Sequence, residues 1–309
     1  MRPLVVGTRG SQLALAQTRW VVERLLELEP GLQVETRIIR TTGDHLATAS
    51  LVSLAGSTKG LFVKEIEEAL LGGGIDLAVH SMKDLPTELP PGLTVGVVPQ
   101  REDPRDALIA RTPVSSLAQL PPGARIGTSS LRRMVQVRHH RPDLEVVPLR
   151  GNVDTRLRKL ESENLDGIIL AAAGLRRLGF QDRITYRFTL DEMIPAVGQG
   201  ALAVEVRAED RELIEFLSQL EDFATRISVD AEREFLRRMG GGCQLPLGAH
   251  AGLAGGFCIF SAFLAAPDGS KFIQRSVTGP AGGLDQLVGE VAEFFLQEGA
   301  AELMQRTDP

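Results

Sequence analysis

The sequence has very few of the residues that build disulfide frameworks and metal sites. Among its 309 residues are two cysteines, Cys243 and Cys258, and five histidines. None of them is spaced as Cys-x-x-Cys or His-x-x-x-His, and two thiols cannot supply a four-thiolate zinc site. The chain is therefore not expected to be a disulfide-rich domain or a metal enzyme.

Large aromatic residues and long apolar runs are also scarce. Trp20 and Tyr186 are the only residues of their kinds, so the stacking surfaces typical of single-strand nucleic-acid binders are largely missing. The apolar run at residues 4–6 is short, and no uninterrupted apolar stretch of about 18 residues is present. We expect no signal peptide, no membrane span and a cytoplasmic location.

Positive charge is concentrated in the middle of the chain. The whole sequence has a net charge of −6, whereas residues 101–190 carry 16 Lys and Arg against 10 Asp and Glu, and 15 of those 16 cations are arginine. The overall acidity argues against a general binder of nucleic acids or anionic membranes. Arginine grips carboxylates and phosphates with paired hydrogen bonds, so a small polyanion is the expected ligand.

Strand-like and helix-like segments alternate over the first third of the chain. Strands are predicted at residues 4–7, 34–41 and 75–80. Helices are predicted after Ser11, which is a plausible N-cap, and at residues 60–71, where three glycines follow. This alternation predicts an α/β layer with a mostly parallel sheet, whose ligands bind at the carboxyl ends of the strands.

A second α/β unit is predicted after the charged, proline-broken stretch 100–104. It contains three successive strand-to-helix junctions, at residues 127–130, 150–152 and near Gly174. From about residue 228 the pattern changes to a helix at 231–239, strands at 257–264 and 272–277 around an Asp268-Gly269 hairpin signal, and a final helix at 284–304. This last part predicts a small α+β domain.

The first junction of the second unit combines hydroxyl groups and arginines at a helix start. Thr128 and Ser129 precede Arg132 and Arg133, and the free N–H groups of a helix N-terminus attract anions. Two arginines are unexpected there because the helix dipole is positive at that end. In the alternative interpretation, Thr128 or Ser129 only caps the helix and the arginines are solvated.

The two following junctions repeat the arginine pattern. Arg150 and Gly151 are followed one turn later by Arg156, and Gly174 is followed by Arg176 and Arg177. If the three strands are adjacent and parallel, these side chains gather at one edge of the sheet and form a polyanion pocket.

Two further segments contain candidate catalytic or reactive side chains. Lys83 and Asp84 follow an apolar strand, where the carboxylate would be a general base, an electrostatic stabiliser of a cation, or half of a plain salt bridge. Cys243 follows three glycines in a loop with little side-chain bulk, which favours a reactive or modified thiol. Cys258 lies in an apolar strand pattern and is expected to be buried and inert.

Eight short segments occur in a fixed order over nearly the whole chain and together are highly specific. They are GTRGSQLA (7–14), KGLFVKE (59–65), VHSMKDLP (79–86), REDPRDA (101–107), GTSSLRR (127–133), LRGNV (149–153), PAVGQG (195–200) and GGCQLP (241–246). In these segments the sequence resembles the porphobilinogen deaminase, or hydroxymethylbilane synthase, family. That family joins four porphobilinogen molecules head to tail into hydroxymethylbilane, a step of haem, chlorophyll and cobalamin biosynthesis, and releases one ammonia per addition.

The resemblance implies a covalent dipyrromethane cofactor, held through a thioether to Cys243, as the primer of the chain. It implies that Asp84 is the catalytic carboxylate, which binds pyrrole N–H groups and stabilises the azafulvenium cation left when ammonia departs. Further cofactor-binding residues by resemblance are Lys83, Thr128, Ser129, Arg132, Arg133, Arg150 and Gly151. Substrate-binding residues by resemblance are Arg9, Ser11, Lys59, Phe62, Arg150, Arg156, Arg177 and Gln199, with Lys59 and Phe62 in a loop beside the active site.

The resemblance also implies three domains. The first two resemble the lobes of a periplasmic binding protein, and the third is a small α+β domain that carries the cysteine loop. The expected boundaries are residues 1–99 with 200–219 for the discontinuous first domain, 105–193 for the second and 221–309 for the third. A monomer is expected, with porphobilinogen as substrate, no nucleic-acid or membrane partner, and a product passed to uroporphyrinogen-III synthase.

One departure and one alternative accompany this interpretation. Many family members have a lysine where this chain has Ala55, so carboxylate binding there is expected to be weaker or redistributed. The alternative is a non-catalytic, two-lobed binding protein or sensor for a small dicarboxylate. It would explain the arginines but would not need Cys243 in a glycine loop or Asp84 beside Lys83.

Overall fold

A computed structural model describes residues 2–41, 63–240 and 245–305 of the chain. The chain divides into two compact units, one formed by Met1–Glu102 with Ala201–Ile227 and the other by Asp103–Gly200 with Ser228–Pro309. The first unit is therefore assembled from two separate stretches of sequence.

The strands are β1 (Leu4–Thr8), β2 (Val34–Ile38), β3 (Leu77–Ser81), β4 (Leu93–Val97), β5 (Asp106–Ala110), β6 (Arg125–Gly127), β7 (Glu145–Val147), β8 (Gly167–Ala171), β9 (Tyr186–Arg187), β10 (Leu202–Arg207), β11 (Leu247–Ala254), β12 (Phe257–Ala265) and β13 (Phe272–Pro280). The helices are α1 (Gln12–Leu28), α2 (Lys64–Leu71), α3 (Leu131–His140), α4 (Val153–Ser162), α5 (Ala172–Arg177), α6 (Arg211–Leu217), α7 (Phe223–Arg238), α8 (Leu284–Gln297) and α9 (Ala300–Gln305).

The first unit contains a five-stranded sheet in the order β2-β1-β3-β10-β4. Strands β1, β2 and β3 are parallel, but β10 runs antiparallel to both β3 and β4. Four of the five strands therefore point the same way, which confirms the predicted mostly parallel sheet. Strand β10 is the exception, because the segment that returns after residue 200 enters the sheet in the reverse direction.

Helix α1 begins as the sequence predicts. The Ser11 hydroxyl accepts a hydrogen bond from the Ala14 N–H at 3.2 Å, which satisfies one of the free donors of the first turn. The helix buries Val21 and Leu25 against Val6 and Leu77 of the sheet. Since α1 directly follows β1, this packing fixes the loop that joins them.

The second unit repeats the same sheet pattern in the order β7-β6-β8-β5-β9. Strand β6 is parallel to β7 and β8, whereas β5 is antiparallel to β8 and β9. The three strands that precede the predicted junctions are therefore adjacent and parallel. The occurrence of one strand order in two sheets agrees with the expectation of two similar α/β lobes.

The C-terminal part forms an antiparallel sheet in the order β11-β12-β13. Phe235 of α7, Phe260 of β12 and Phe295 of α8 meet in its core. The predicted small α+β domain is confirmed, and Gly269 supplies the positive φ of 77° in the turn between β12 and β13. Strand β11 was not predicted, because Gly and Ala dominate it and have low strand propensity.

Two helix predictions in this part need correction. Helix α7 begins at Phe223, well before the predicted residue 231. The predicted final helix at 284–304 is two helices, because Gly299 adopts a φ of 86° and interrupts the helical hydrogen-bond ladder.

Gly248 of β11 offers a direct test of this packing. A Cβ atom there would lie 2.6 Å from the Pro195 carbonyl oxygen and 2.8 Å from that of Ile194, and backbone cannot rotate away as a side chain can. We expect Gly248→Ala to lower the free energy of unfolding by about 1–3 kcal/mol in urea denaturation. The matched control is Gly252→Ala in the same strand, whose Cβ would meet only His250 at an ordinary 3.6 Å. Equal stabilities of the two variants would contradict the close backbone approach.

Candidate active site

The predicted arginines of the second unit follow neighbouring parallel strands. Strands β6, β7 and β8 end at the same edge of the sheet, because adjacent parallel strands point the same way. The segments after them carry the predicted binding residues of the unit, which are Thr128, Ser129, Arg132, Arg133, Arg150, Gly151, Arg156 and Arg177. The edge expected for a polyanion pocket is therefore present.

Arg132 and Arg133 turn inward and bind one buried carboxylate. Arg132 Nη1 lies 2.7 Å from Asp106 Oδ2, and Arg133 Nη2 lies 2.8 Å from Asp106 Oδ1. Asp106 is fully buried, and the two arginines are only 7% and 6% exposed. Gln199 reaches the same carboxylate, because its Nε2 donates to Asp106 Oδ1 at 3.1 Å and to the Pro104 carbonyl at 2.7 Å.

Backbone carbonyl groups complete the surroundings of the two guanidinium groups. Arg132 donates to the Ile194 carbonyl at 2.8 Å, and Arg133 donates to the Ile169 carbonyl at 3.1 Å. Both side chains are therefore fixed in direction by charged and neutral acceptors. The alternative of two solvated arginines at this helix start is wrong.

The buried cluster holds more positive than negative charge. Within the part of the chain that the structure describes, Asp106 is the only carboxylate that pairs with Arg132 and Arg133. Burial lowers the pKa of Arg156 to about 10, and the positive charge of Arg133 adds to this effect. Burial likewise lowers the pKa of Arg133, against the opposing influence of Asp106. A carboxylate arriving at this edge would relieve that excess of positive charge.

The two hydroxyl residues of the first junction shape its turn. Thr128 Oγ1 accepts a hydrogen bond from the Ser130 N–H at 3.2 Å, and Ser129 Oγ accepts one from the Leu149 N–H at 2.9 Å. Ser130 occupies the N-cap position of α3 and makes no side-chain cap bond. Neither Thr128 nor Ser129 is thus the helix cap that the alternative interpretation required. Ser129 remains exposed, so its hydroxyl stays accessible to a ligand.

The later junctions differ in how their arginines are held. Gly151 has a φ of 121°, and a Cβ there would lie 2.8 Å from Thr155 Cγ2. Arg156 donates through Nε to the Gly151 carbonyl, and Arg177 donates through Nη2 to the Gly200 carbonyl, both at 2.7 Å. Arg150 is exposed and has no hydrogen-bond or ion-pair partner among the described residues, so its guanidinium is available to a ligand.

Asp84 of the first unit lies in a single 3-10 turn, Met82–Asp84, directly after β3. Met82 is buried and donates its N–H to the Ala201 carbonyl at 3.0 Å, which fixes the start of the turn. Asp84 is half-buried and makes no ion pair or hydrogen bond within the described ranges. The plain salt bridge with Lys83 is therefore absent, and the Asp84 carboxylate remains available.

Arg9 and Ser11 follow β1, the strand next to β3 and parallel to it. Arg9 and the turn that holds Lys83 and Asp84 therefore leave the same edge of the first sheet. Ser11 has a structural task as the cap of α1.

Three predicted site residues, Lys59, Phe62 and Cys243, lie outside the described residues, as does Ala55. Sequence reasoning missed Asp106, although it stands in one of the matched segments. The signal was an acidic residue at the start of an apolar strand, together with a pair of arginines in another matched segment, 127–133, that need a counter-charge. Cys258 is buried as expected.

Metal-ligand clusters and membrane-spanning helices are both absent from residues 2–41, 63–240 and 245–305. No group of three or more His, Cys, Asp or Glu side chains among them could hold a metal ion. None of the helices there has the length and apolar character needed to cross a membrane.

The fold and the site define a mixed α/β protein with a buried arginine cluster suited to carboxylate ligands. The family model for the dipyrromethane cofactor-binding domain of porphobilinogen deaminase matches residues 4–215, and that for the porphobilinogen deaminase C-terminal domain matches residues 226–297. The chain belongs to the porphobilinogen deaminase family. It is a transferase that polymerises porphobilinogen to hydroxymethylbilane on a dipyrromethane cofactor in tetrapyrrole biosynthesis.

Curated relatives match over nearly the full length. The porphobilinogen deaminase of Syntrophotalea carbinolica is 50% identical over 306 residues, covering 99% of this chain and 96% of the relative. That of Geobacillus kaustophilus is 49% identical over 308 residues, covering 99% and 98%. An arginine-specific periplasmic binding protein of Salmonella typhimurium matches with a TM-score of 0.39 and 12% identity, covering 76% of this chain and 98% of that one. The relatives do not favour the alternative of a non-catalytic sensor.

Asp106 provides the stability test of the site. Removing its charge leaves two buried guanidinium groups without their counter-charge, so we expect Asp106→Asn to cost about 3–5 kcal/mol in the free energy of unfolding. The control is Glu290→Gln, which breaks an exposed ion pair with Arg275 and should cost less than about 1 kcal/mol. If urea denaturation gave the two variants the same stability, the buried cluster would not carry the charge balance described.

Proposed function

We propose that Asp84 is the catalytic carboxylate of the family reaction and that the arginine edge of the second unit binds the carboxylates of cofactor and growing chain. The observation that carries this proposal is the excess of buried positive charge around Asp106. Every pyrrole ring of the substrate bears an acetate and a propionate group, so a growing chain accumulates negative charge. A fixed array of guanidinium groups suits such a ligand better than solvated lysines would.

The residues of the second unit fit a bound dipyrromethane by their chemistry. Arg132, Arg133 and Arg150, with Lys83 of the first unit, would hold its carboxylates, while Thr128 and Ser129 add hydroxyl groups and Gly151 allows a close approach. Cys243 would hold the cofactor through a thioether. When bound, the cofactor supplies a covalently held primer from which the chain grows.

The substrate would be bound by a second set of residues. These are Arg9, Ser11, Lys59, Phe62, Arg150, Arg156, Arg177 and Gln199. Arg156 and Arg177 each donate to a backbone carbonyl through one nitrogen, and a guanidinium group carries five N–H donors in all. Gln199 would act through its contact with Asp106.

Asp84 would act by electrostatics. Positive charge develops on the substrate when ammonia leaves, and a carboxylate placed there beforehand stabilises that charge without reorganisation. Asp84 has no hydrogen-bond or ion-pair partner among the described residues, which supports this role because no cation there neutralises its charge. Its buried neighbour Met82 fixes the turn, so the carboxylate is held on a rigid support.

The remaining expectations concern the setting of the enzyme. We propose a monomer of three domains with the boundaries given above, working in the cytoplasm. Its product would pass to uroporphyrinogen-III synthase, since the linear tetrapyrrole must be consumed by a cyclising reaction.

The proposed role of Asp84 is tested by Asp84→Asn. The amide keeps the shape but removes the negative charge, so we expect kcat to fall by at least about 100-fold while the melting temperature and the bound cofactor stay unchanged. Turnover is measured by porphobilinogen consumption and the cofactor by intact mass. The control is Glu88→Gln, an exposed carboxylate a few residues further along, which should keep wild-type turnover. Wild-type kcat in Asp84→Asn would exclude the catalytic role.

A further inference from the structure

Three titratable side chains are buried together behind the strand that leads to Asp84. They are Glu67 of α2, His80 of β3 and Glu205 of β10, with exposures of 8%, 6% and 0%. Cross-strand pairing puts Glu205 opposite Ala78 and Ala203 opposite His80, so His80 and Glu205 share one face of the sheet. Helix α2 packs on that face through Ile66 and Leu70.

Buried polar groups usually form hydrogen bonds, but several side-chain atoms of this cluster have no such partner among the described residues. His80 Nε2 lies 3.0 Å from Glu205 Oε2, but the two atoms are not aligned as a hydrogen bond, so their interaction is electrostatic. Glu67 Oε1 and both carboxylate oxygens of Glu205 also have no hydrogen-bond partner among the described residues. By contrast, the nearby Asp76 is held by Arg2, Arg207 and the Val5 N–H.

Within the described ranges, no lysine or arginine pairs with the carboxyl groups of this cluster. Burial raises the pKa of Glu67, and the negative charge of Glu205 raises it further, against the opposing influence of His80. The carboxyl group of Glu205 therefore has the His80 imidazole and a second carboxyl group as its polar neighbours. Arg207 lies on the same strand as Glu205, but its guanidinium binds Asp76 and the Leu70 and Ile75 carbonyls.

The cluster adjoins the catalytic turn through the backbone. His80 is four residues before Asp84. Two residues between them form hydrogen bonds to other elements: Ser81 Oγ accepts one from Gln17 Nε2 at 2.8 Å, and the Met82 N–H donates one to the Ala201 carbonyl. Each of these hydrogen bonds links a different part of the first unit to the end of β3. The contact between His80 Nε2 and Glu205 Oε2 joins β3 to β10.

We propose that Glu67, His80 and Glu205 form a buried polar cluster that positions the end of β3 and thereby the carboxylate of Asp84. These three are positioning residues, because they act through Asp84. The inference rests on the proposed catalytic role of Asp84. It explains why costly buried charges stand on a face that is otherwise apolar.

The experiment is a double-mutant cycle on kcat with Glu205→Gln and Asp84→Glu. Glu205→Gln keeps the side-chain shape and removes the charge, so we expect kcat to fall about tenfold with KM within about twofold of wild type and with the cofactor still attached by intact mass. In the Asp84→Glu background, where the carboxylate is already displaced, Glu205→Gln should lower kcat by less than about threefold. Glu67→Gln should cost less than Glu205→Gln, because Glu205 is the residue whose carboxylate lies 3.0 Å from His80 Nε2.

The outcomes separate the inference from the proposed function. If the losses of Glu205→Gln and Asp84→Glu multiply, or if Glu205→Gln has wild-type kcat, the positioning role is wrong although Asp84 keeps its own. If Asp84→Glu has wild-type kcat, the position of the carboxylate does not limit turnover and the positioning role is wrong. If Asp84→Asn has wild-type kcat, the proposed role of Asp84 itself fails. Should Glu205→Gln not fold, His80→Gln is used in the same cycle with the same expectations. Glu68→Gln, on the exposed side of α2, is the surface control.

Discussion

The burial of two arginines against one aspartate is the constraint on which the binding edge depends. Arg132 and Arg133 start a helix, where their charge is unfavourable, and are drawn inward by Asp106. Burying a guanidinium group requires nearly complete hydrogen bonding, which the Ile194 and Ile169 carbonyls help to supply. Among the described residues one positive charge of this cluster remains in excess, and we propose that a carboxylate-rich ligand balances it.

The two units differ in whether their charged side chains are paired with other protein groups. In the second unit, buried arginines are preorganised by Asp106, and the exposed Arg150 lies at the same sheet edge. In the described part of the first unit, Asp84 has no hydrogen-bond or ion-pair partner, and it follows a strand whose end is held by hydrogen bonds. A cation-stabilising carboxylate must keep its charge available, whereas carboxylate-binding arginines must be fixed in direction. The different surroundings suit these different tasks.

Local patterns in the sequence predict much of this arrangement. Ser11 and the spacing of Val21 and Leu25 identify α1, and three glycine- and arginine-bearing junctions identify the binding edge. The reversed strands β5 and β10 were not foreseen, because strand direction is set by long-range pairing rather than by periodicity. Asp106 was missed for the same reason, since its partners lie 26 and 27 residues further along the chain.

The most direct test of the account is the intact mass of the purified protein beside that of Cys243→Ser, each after incubation with porphobilinogen. Because the arginine excess is explained by the carboxylates of a covalent cofactor, the wild type should carry the added mass of two linked porphobilinogen-derived rings. The variant should have the mass of its chain alone. A wild-type protein that keeps its bare chain mass would contradict the central claim, and an equal mass excess on Cys243→Ser would place the attachment at another residue.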